Sequence, residues 1–106
     1  MSKEEIINDV ANAYGISADV IRSKIRKRPV SDARAVACYL LSFLLKMSST
    51  EIGKELNRDH STVVVAIEKV DMWLSTPKIN PTAVDVTVKV YNKYKDELKR
   101  LGYGFQ

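Results

Sequence analysis

Arg58-Asp59-His60-Ser61-Thr62-Val63, called the decisive stretch below, is the most informative part of the sequence. It follows a short amphipathic segment, residues 50–56, and opens a longer segment with helical apolar spacing that ends near Leu74. A turn that leads into a second helix is the geometry of a helix-turn-helix, which exposes side chains at the start of that helix. We therefore predict a helix-turn-helix over about residues 49–74. Its polar side chains have two possible uses, contact with DNA bases or capping of the helix.

The segments on either side have helical patterns as well. An apolar run from Ala35 to Leu45 predicts a central core helix. Val84–Val90 alternates like a strand, but the spacing that follows, up to Leu101, favours a helix. Gly15 and Gly102 are expected to end the first and last helices. Other helix starts are predicted at Ser2, Ser17, Ser31, Ser48 or Ser49, and Asn80-Pro81.

These patterns predict an all-α fold, a compact bundle of about six helices that forms one domain over residues 1–106. The helix that starts near Asp59 is expected to bury Val63, Val64, Ile67, Val70 and Leu74. The apolar face of the last helix is expected to consist of Val84, Val88, Tyr91, Leu98 and Leu101.

Composition excludes several classes of protein. The hydrophobic fraction of 45% is too high for a disordered chain. No apolar run approaches the roughly 18 residues of a membrane span, and no signal peptide is recognisable, so a cytoplasmic protein is expected. The single cysteine, Cys38, lies in the predicted core helix and is expected to be buried. With one cysteine and one histidine, the usual ligands of a structural zinc site are missing.

The sequence also lacks the motifs of an enzyme. There is no glycine-rich phosphate-binding loop and no dinucleotide fingerprint, so no nucleotide or other cofactor is expected. Asp59, His60 and Ser61 are adjacent on a predicted helix, where their side chains diverge and do not form a catalytic triad. We therefore expect a protein that is not an enzyme.

Positive charge is concentrated in one part of the chain, although the net charge is only +4. Residues 22–34 contain six basic residues and a single acidic residue, Asp32. Pro29 interrupts the helical pattern, so the basic residues of this block are expected on an exposed loop, residues 24–30. Such a block is typical of a surface that binds a polyanion, although a solvated loop is the simpler alternative.

The polar residues of the decisive stretch suit contact with DNA. His60 and Ser61 are able to hydrogen-bond to base edges, and the Thr62 methyl group is able to contact thymine. Arg34, near the start of the core helix, is expected to point to solvent or to a ligand and has the geometry for a bidentate contact with guanine. Asp59 is favoured as a helix N-cap over a contact with a base.

The residues of the basic loop are also expected to contact DNA. Arg26 or Lys27 is placed to enter a minor groove, as basic arms do. Arg28 is expected to contact phosphates. The rival interpretation, from another class, is a helical module that binds a protein through Tyr91, Tyr94 and Tyr103. A transcription regulator of a mobile element is a further alternative.

Three stretches in this order resemble the C-terminal DNA-binding domain of the DnaA replication initiator family. They are Ala33-Arg34-Ala35-Val36-Ala37-Cys38-Tyr39-Leu40, Ser49-Thr50-Glu51-Ile52-Gly53 and the stretch Arg58 to Val63. Upstream, Ile7-Asn8-Asp9-Val10-Ala11 and Tyr14-Gly15-Ile16 extend the similarity over most of the chain.

The resemblance implies a bundle of the Trp-repressor type whose single helix-turn-helix binds a short asymmetric box in double-stranded DNA, as a monomer. It implies major-groove contacts by His60, Ser61 and Thr62, a base contact by Arg34 and a minor-groove contact by Arg26. Arg58 and Asp59 match the Arg-Asp-His run of that family, so the resemblance also places them among the expected DNA-contacting residues.

The chain departs from the family pattern in three places. Ala33 and Ala35 replace a proline and a glutamine, so the donor of that glutamine is lost. The turn before Arg58 is one residue shorter, with Asn57 in place of a Gly-Gly pair, which alters the direction of the second helix. The ATPase module of the family is missing, so we expect no ATP-driven origin opening by this chain alone. Because the chain begins at Met1 with its own helix cap, a free-standing protein of a mobile element or phage is favoured over a fragment.

Overall fold

The computed structural model describes residues 1–100, which form six α-helices and one short 3-10 turn, without a strand in that range. This confirms the predicted all-helical fold, and the segment with strand-like alternation lies inside the last helix. In chain order, the helices are α1 Lys3–Ala13, α2 Ala18–Arg22, α3 Val30–Leu45, α4 Ser49–Leu56, α5 His60–Ser75 and α6 Pro81–Arg100, with the 3-10 turn Pro77–Ile79 before α6.

The centre of the bundle is α3, which packs against each of the other five helices. Its side chains are buried around most of its circumference, as its almost continuous apolar run predicted. Cys38 is 2% exposed, which confirms its expected burial. The helix-turn-helix, formed by α4 and α5, lies against this core helix, so its orientation is fixed by packing with α3.

Most of the predicted helix starts are confirmed. The hydroxyl groups of Ser2 and Ser17 accept hydrogen bonds from backbone amides three residues later, at 3.2 and 3.3 Å. Ser48, the first of two candidates, caps α4. The prediction for Ser31 is wrong, since α3 begins at Val30 with Pro29 at its N-cap and no side-chain cap. Proline suits this place because its ring fixes a helix-compatible φ angle and its missing N–H removes a donor that would have no partner.

The buried faces of α5 and α6 differ from the predicted ones. Val64 is 41% exposed and Val88 is 45% exposed, whereas both were expected to be buried. Trp73 is buried in α5, and α6 buries Ala83, Val86, Thr87, Val90 and Tyr94. The predicted and the observed buried residues of α6 both have helical spacing, and the two sets are offset by about one residue. Tertiary packing determines which of the two faces is buried. Leu101 and Gly102 lie outside the described residues.

Ion pairs connect the first helices to the helix-turn-helix. The Arg22 guanidinium lies 2.9 Å from a carboxylate oxygen of Glu55 in α4 and 3.0 Å from Glu4 in α1. Lys3 pairs with the other oxygen of Glu55 at 3.1 Å. These contacts fix α2, and therefore the start of the basic loop, beside α4. None of the helices within residues 1–100 has the length and apolarity to cross a membrane.

Candidate nucleic-acid interface

The turn of the helix-turn-helix folds tightly over Gly53. The backbone amide of Arg58 donates to the Gly53 carbonyl at 2.8 Å. A Cβ atom added at Gly53 would lie 2.4 Å from the Arg58 carbonyl oxygen, closer than real contacts allow. The close neighbour that requires a glycine at this position is therefore the turn itself. Asn57 has a left-handed backbone conformation, with φ 56° and ψ 48°, which asparagine tolerates better than most other residues.

Helix α5 begins with exposed polar side chains. His60, Ser61 and Thr62 occupy its first turn and are all exposed, while Val63 points into the core. Asp59 has the N-cap position, but its carboxylate makes no capping hydrogen bond. The prediction that this side chain caps the helix is therefore wrong. Its carboxylate is exposed beside the three side chains of the first turn.

The basic loop is exposed, as its composition predicted. Lys24, Arg26, Lys27 and Arg28 are all exposed, and the chain becomes buried again only at Val30. The Arg28 guanidinium lies 3.3 Å from the carboxylate of Asp32. Since the Arg28 side chain remains 68% exposed, this surface ion pair contributes little to stability.

Arg34 does not point to solvent, so this expectation is wrong. The residue is 7% exposed, and its guanidinium donates to backbone carbonyls of residues 21–25, a segment that includes the start of the basic loop. The acceptors are Ile21 at 2.7 Å, Ser23 at 2.7 Å and Ile25 at 2.8 Å. The last carbonyls of a helix such as α2 have no hydrogen-bond donor within the helix, and the Arg34 guanidinium supplies the missing donors. Burial lowers the pKa of the Arg34 guanidinium, and the like charge of Arg58 lowers it further.

Arg58 contacts the same segment from the other side. Its guanidinium donates to the carbonyl of Asn57 at 2.8 Å and to the carbonyl of Ser23. The side chain is half-buried and lies between the turn of the helix-turn-helix and the start of the basic loop. Arg58 therefore makes structural hydrogen bonds within the protein.

A cleft of about 330 Å³ separates the basic loop from α5. Arg26, Arg34, Arg58 and Thr62 line it, so the structure brings these four predicted residues together. Lys69 lines the same cleft and was missed by sequence analysis. Its spacing of seven residues from Thr62 places both on one face of α5, and this periodicity was the available signal.

A second depression lies beside the turn. Asp59, His60 and Arg58 line it together with Thr50 and Lys54 of α4. Lys54 is exposed and was also missed, because it lies on the helix before the decisive stretch. The remaining predicted residues line neither depression but are exposed: Lys27, Arg28 and Ser61.

The tyrosine surface of the rival interpretation is not assembled as expected. Tyr94 is 1% exposed, and its hydroxyl donates to the Asp9 carboxylate. Tyr91 is half-buried, with its ring in an edge contact with Phe43. Tyr103 lies outside the described residues. Within residues 1–100, no three histidine, cysteine or acidic side chains converge as a metal site.

Comparison with known proteins identifies the family. The family described as bacterial dnaA protein helix-turn-helix matches residues 3–70, which is more than half of the chain. A chromosomal replication initiator protein DnaA of Ureaplasma parvum serovar 3 is 44% identical over 67% of this chain and 16% of its own length. Proteins of the same name from Deinococcus radiodurans and Deinococcus deserti are 33% and 36% identical over 88% and 91% of the chain.

The chain spans only 20% and 21% of the length of the two Deinococcus proteins. The matched region includes the basic loop, α4 and α5 up to Val70, which carry the candidate interface described above. The chain therefore belongs to the bacterial DnaA helix-turn-helix family, as a DNA-binding domain of that family.

Proposed function

We propose that this domain binds double-stranded DNA sequence-specifically, at a short box of the kind that DnaA initiators bind. The observation that carries the proposal is the exposed first turn of α5, which lies across a cationic cleft from an exposed basic loop. In this arrangement α5 enters the major groove, and the loop enters the neighbouring minor groove.

Four side chains at the start of α5 supply the major-groove contacts. The free Asp59 carboxylate accepts a hydrogen bond from the amino group of cytosine, and the Thr62 methyl group contacts thymine. His60 and Ser61 hydrogen-bond to neighbouring base edges. Because the Asp59 carboxylate makes no capping bond, it is available for this contact without loss of a helix cap.

Cations on both sides of the cleft supply the sequence-independent part of the affinity. Arg26 enters the minor groove, and the phosphates are contacted by Lys27, Arg28, Lys54 and Lys69. Arg34 is not assigned a base contact, because its guanidinium is buried against three backbone carbonyls.

The relatives are named chromosomal replication initiators, and we propose that this domain serves replication initiation or its control. The domain contributes DNA recognition and not catalysis. One helix-turn-helix per chain fits an asymmetric box, so we propose binding as a monomer to chromosomal or mobile-element DNA in the cytoplasm.

Selection of bound sequences from a random duplex pool tests this proposal. The selected duplex and a scrambled one are then compared by fluorescence anisotropy for the wild type, for His60→Ala and for Lys89→Ala, which removes an exposed cation on α6. We expect His60→Ala to cost about 1–3 kcal/mol on the selected duplex and little on the scrambled one. The Lys89 variant should behave like the wild type. Equal losses for His60→Ala on both duplexes would contradict a base contact by His60, and a pool without enrichment would contradict sequence-specific binding.

A further inference from the structure

Two arginines from different elements donate to one backbone oxygen. The Ser23 carbonyl accepts a hydrogen bond from Arg34 of α3 at 2.7 Å and another from Arg58 of the helix-turn-helix turn. A carbonyl oxygen has two lone pairs, and both are used here. Hydrogen bonds from charged donors are stronger than those between neutral groups. Ser23 is therefore the point at which the core, the turn and the start of the basic loop are connected.

The loop is fixed on both sides of this point. Before it, the Arg22 guanidinium pairs with Glu55 of α4 and also donates to the Glu55 carbonyl at 3.3 Å. After it, Arg34 donates to the carbonyl of Ile25. Arg26 is the next residue after Ile25, so the backbone immediately before Arg26 is held in place by this hydrogen bond. The side chain of Arg26 is nevertheless exposed.

We propose that Arg58, together with Arg34, is a positioning residue that fixes the basic loop relative to α5, so that minor-groove and major-groove contacts form as one unit. The inference rests on the proposed DNA binding and adds a role for residues that were expected to contact bases or phosphates. A duplex presents its two grooves at a set spacing, and a protein that holds both contacting elements at that spacing avoids ordering the loop when it binds.

A positioning role for Arg58 predicts an effect at base pairs that the basic loop contacts and Arg58 does not. Arg58 lies 35 residues from Ser23 in sequence and belongs to the helix-turn-helix. If Arg58 only contacted a phosphate, its removal would weaken binding to all duplexes alike and reduce the salt slope by about one unit. If it positions the loop, its removal also reduces discrimination at the base pairs that the loop contacts.

Base-by-base preference measurements separate these roles. The base pairs contacted by the loop are first mapped as those at which Arg26→Ala loses discrimination, and those contacted by α5 are mapped with His60→Ala. Arg58→Ala is then measured on the same panel of single-base variants. Lys54→Ala is the matched control, since it removes one positive charge beside the turn, whereas the carbonyls of Ile21, Ser23 and Ile25 accept their side-chain hydrogen bonds from Arg34 and Arg58.

We expect Arg58→Ala to reduce discrimination at the loop-mapped positions by a factor of about three or more, as for coupled residues. Lys54→Ala should weaken binding evenly and leave every preference intact. Arg58→Ala with unchanged preferences at the loop-mapped positions would overturn the positioning role, while enrichment by the wild type would still support the proposed function. If Arg58→Ala does not fold by circular dichroism, Arg58→Lys keeps the charge but cannot donate to both carbonyls as a planar guanidinium does. It should show the same selective loss, and full discrimination by Arg58→Lys would also overturn the proposal.

Discussion

At the scale of single residues, Gly53 determines whether the turn of the helix-turn-helix forms. Because a Cβ atom would lie 2.4 Å from a backbone oxygen, the backbone itself must move when any side chain is added. We expect Gly53→Ala to lower the free energy of unfolding by about 1–3 kcal/mol and to weaken specific DNA binding. Urea denaturation measures the first effect.

Gly15 provides the matched control for this change. It has a φ angle of 70° and open space around the position of its Cβ atom. Asparagine tolerates the left-handed conformation, so Gly15→Asn should cost less than about 1 kcal/mol. Equal losses for both variants would show that the close approach at Gly53 is unimportant.

Arg34 is expected to affect stability more than base recognition. Its removal leaves the carbonyls of Ile21 and Ile25 without their donor, whereas the Ser23 carbonyl keeps the hydrogen bond from Arg58. A carbonyl left without a partner in a buried place costs about 1–3 kcal/mol. We expect Arg34→Ala to lower the free energy of unfolding by about 3 kcal/mol in urea denaturation. Arg26→Ala, on the exposed loop, should change it by less than about 0.5 kcal/mol. An Arg34 variant of normal stability that loses discrimination at one base pair would return Arg34 to the role of a base contact.

The exposure of His60 agreed with the sequence-based expectation, whereas the burial of Arg34 did not, and the difference has a physical reason. His60 follows a turn at the start of a helix, and local spacing was enough to place it in an exposed first turn. The burial of Arg34 depends on main-chain carbonyls as acceptors. Every residue has such a carbonyl, so no residue type in the sequence marks the three that Arg34 contacts. The same applies to Arg58 and the carbonyl of Ser23.

At the scale of the elements, the start of α4 combines two reciprocal hydrogen bonds. The Ser48 hydroxyl accepts from the Glu51 amide at 3.1 Å, and the Glu51 carboxylate accepts from the Ser48 amide at 3.0 Å. The bond from the Ser48 backbone amide holds the pKa of the Glu51 carboxyl below its ordinary value of 4.5, and the bond with the Ser48 side chain lowers it further. This stabilisation is complete above the ordinary pKa and is lost as the pH falls through the lowered pKa of the folded state.

We therefore expect the stability advantage of the wild type over Glu51→Gln to depend on pH. The advantage should be present at about pH 7 and should shrink as the pH is lowered below about 4. Urea midpoints of both proteins across this range measure it. A difference that stays constant down to about pH 3 would contradict a stabilising role for the ionised carboxylate.

Helix starts were more predictable than helix faces, and the reason is physical. A cap such as Ser48 with Glu51 is decided by residues three positions apart, so the sequence contains the whole interaction. The face that α6 buries depends on which of two overlapping apolar stripes the neighbouring helices contact. Val88 belongs to one stripe and Val90 to the other, and the positions of the helices packed against α6, namely α1, α3 and α5, distinguish them.

At the scale of the whole molecule, positive charge is concentrated around the cleft without matching carboxylates. Within the part of the chain that the structure describes, neither Arg34 nor Arg58 forms an ion pair. Arg26 and Lys69 line the same cleft. The like charges repel each other in the free protein, and anions that enter the cleft relieve this repulsion.

Divalent anions should therefore stabilise the free domain. We expect sulfate to raise the melting temperature by about 2–4 °C over chloride at equal ionic strength. Sulfate also stabilises proteins by exclusion from their surface, so the variant Lys69→Gln serves as the control. Its increase in melting temperature should be smaller than that of the wild type. The same increase in both proteins would assign the effect to surface exclusion and contradict a contribution from the cleft.

The reactivity of the Cys38 thiol measures how often the structure around the cleft and the core opens. Its thiol lies one turn after Arg34 in α3, lines the cleft and is 2% exposed, and burial raises its pKa to about 12. A thiol in this state reacts slowly with alkylating reagents, because the reactive thiolate is scarce and shielded. Since the sequence contains no other cysteine, the rate of alkylation reports the transient opening of α3 in the unaltered protein. Its change on addition of DNA measures how strongly the ligand closes the core.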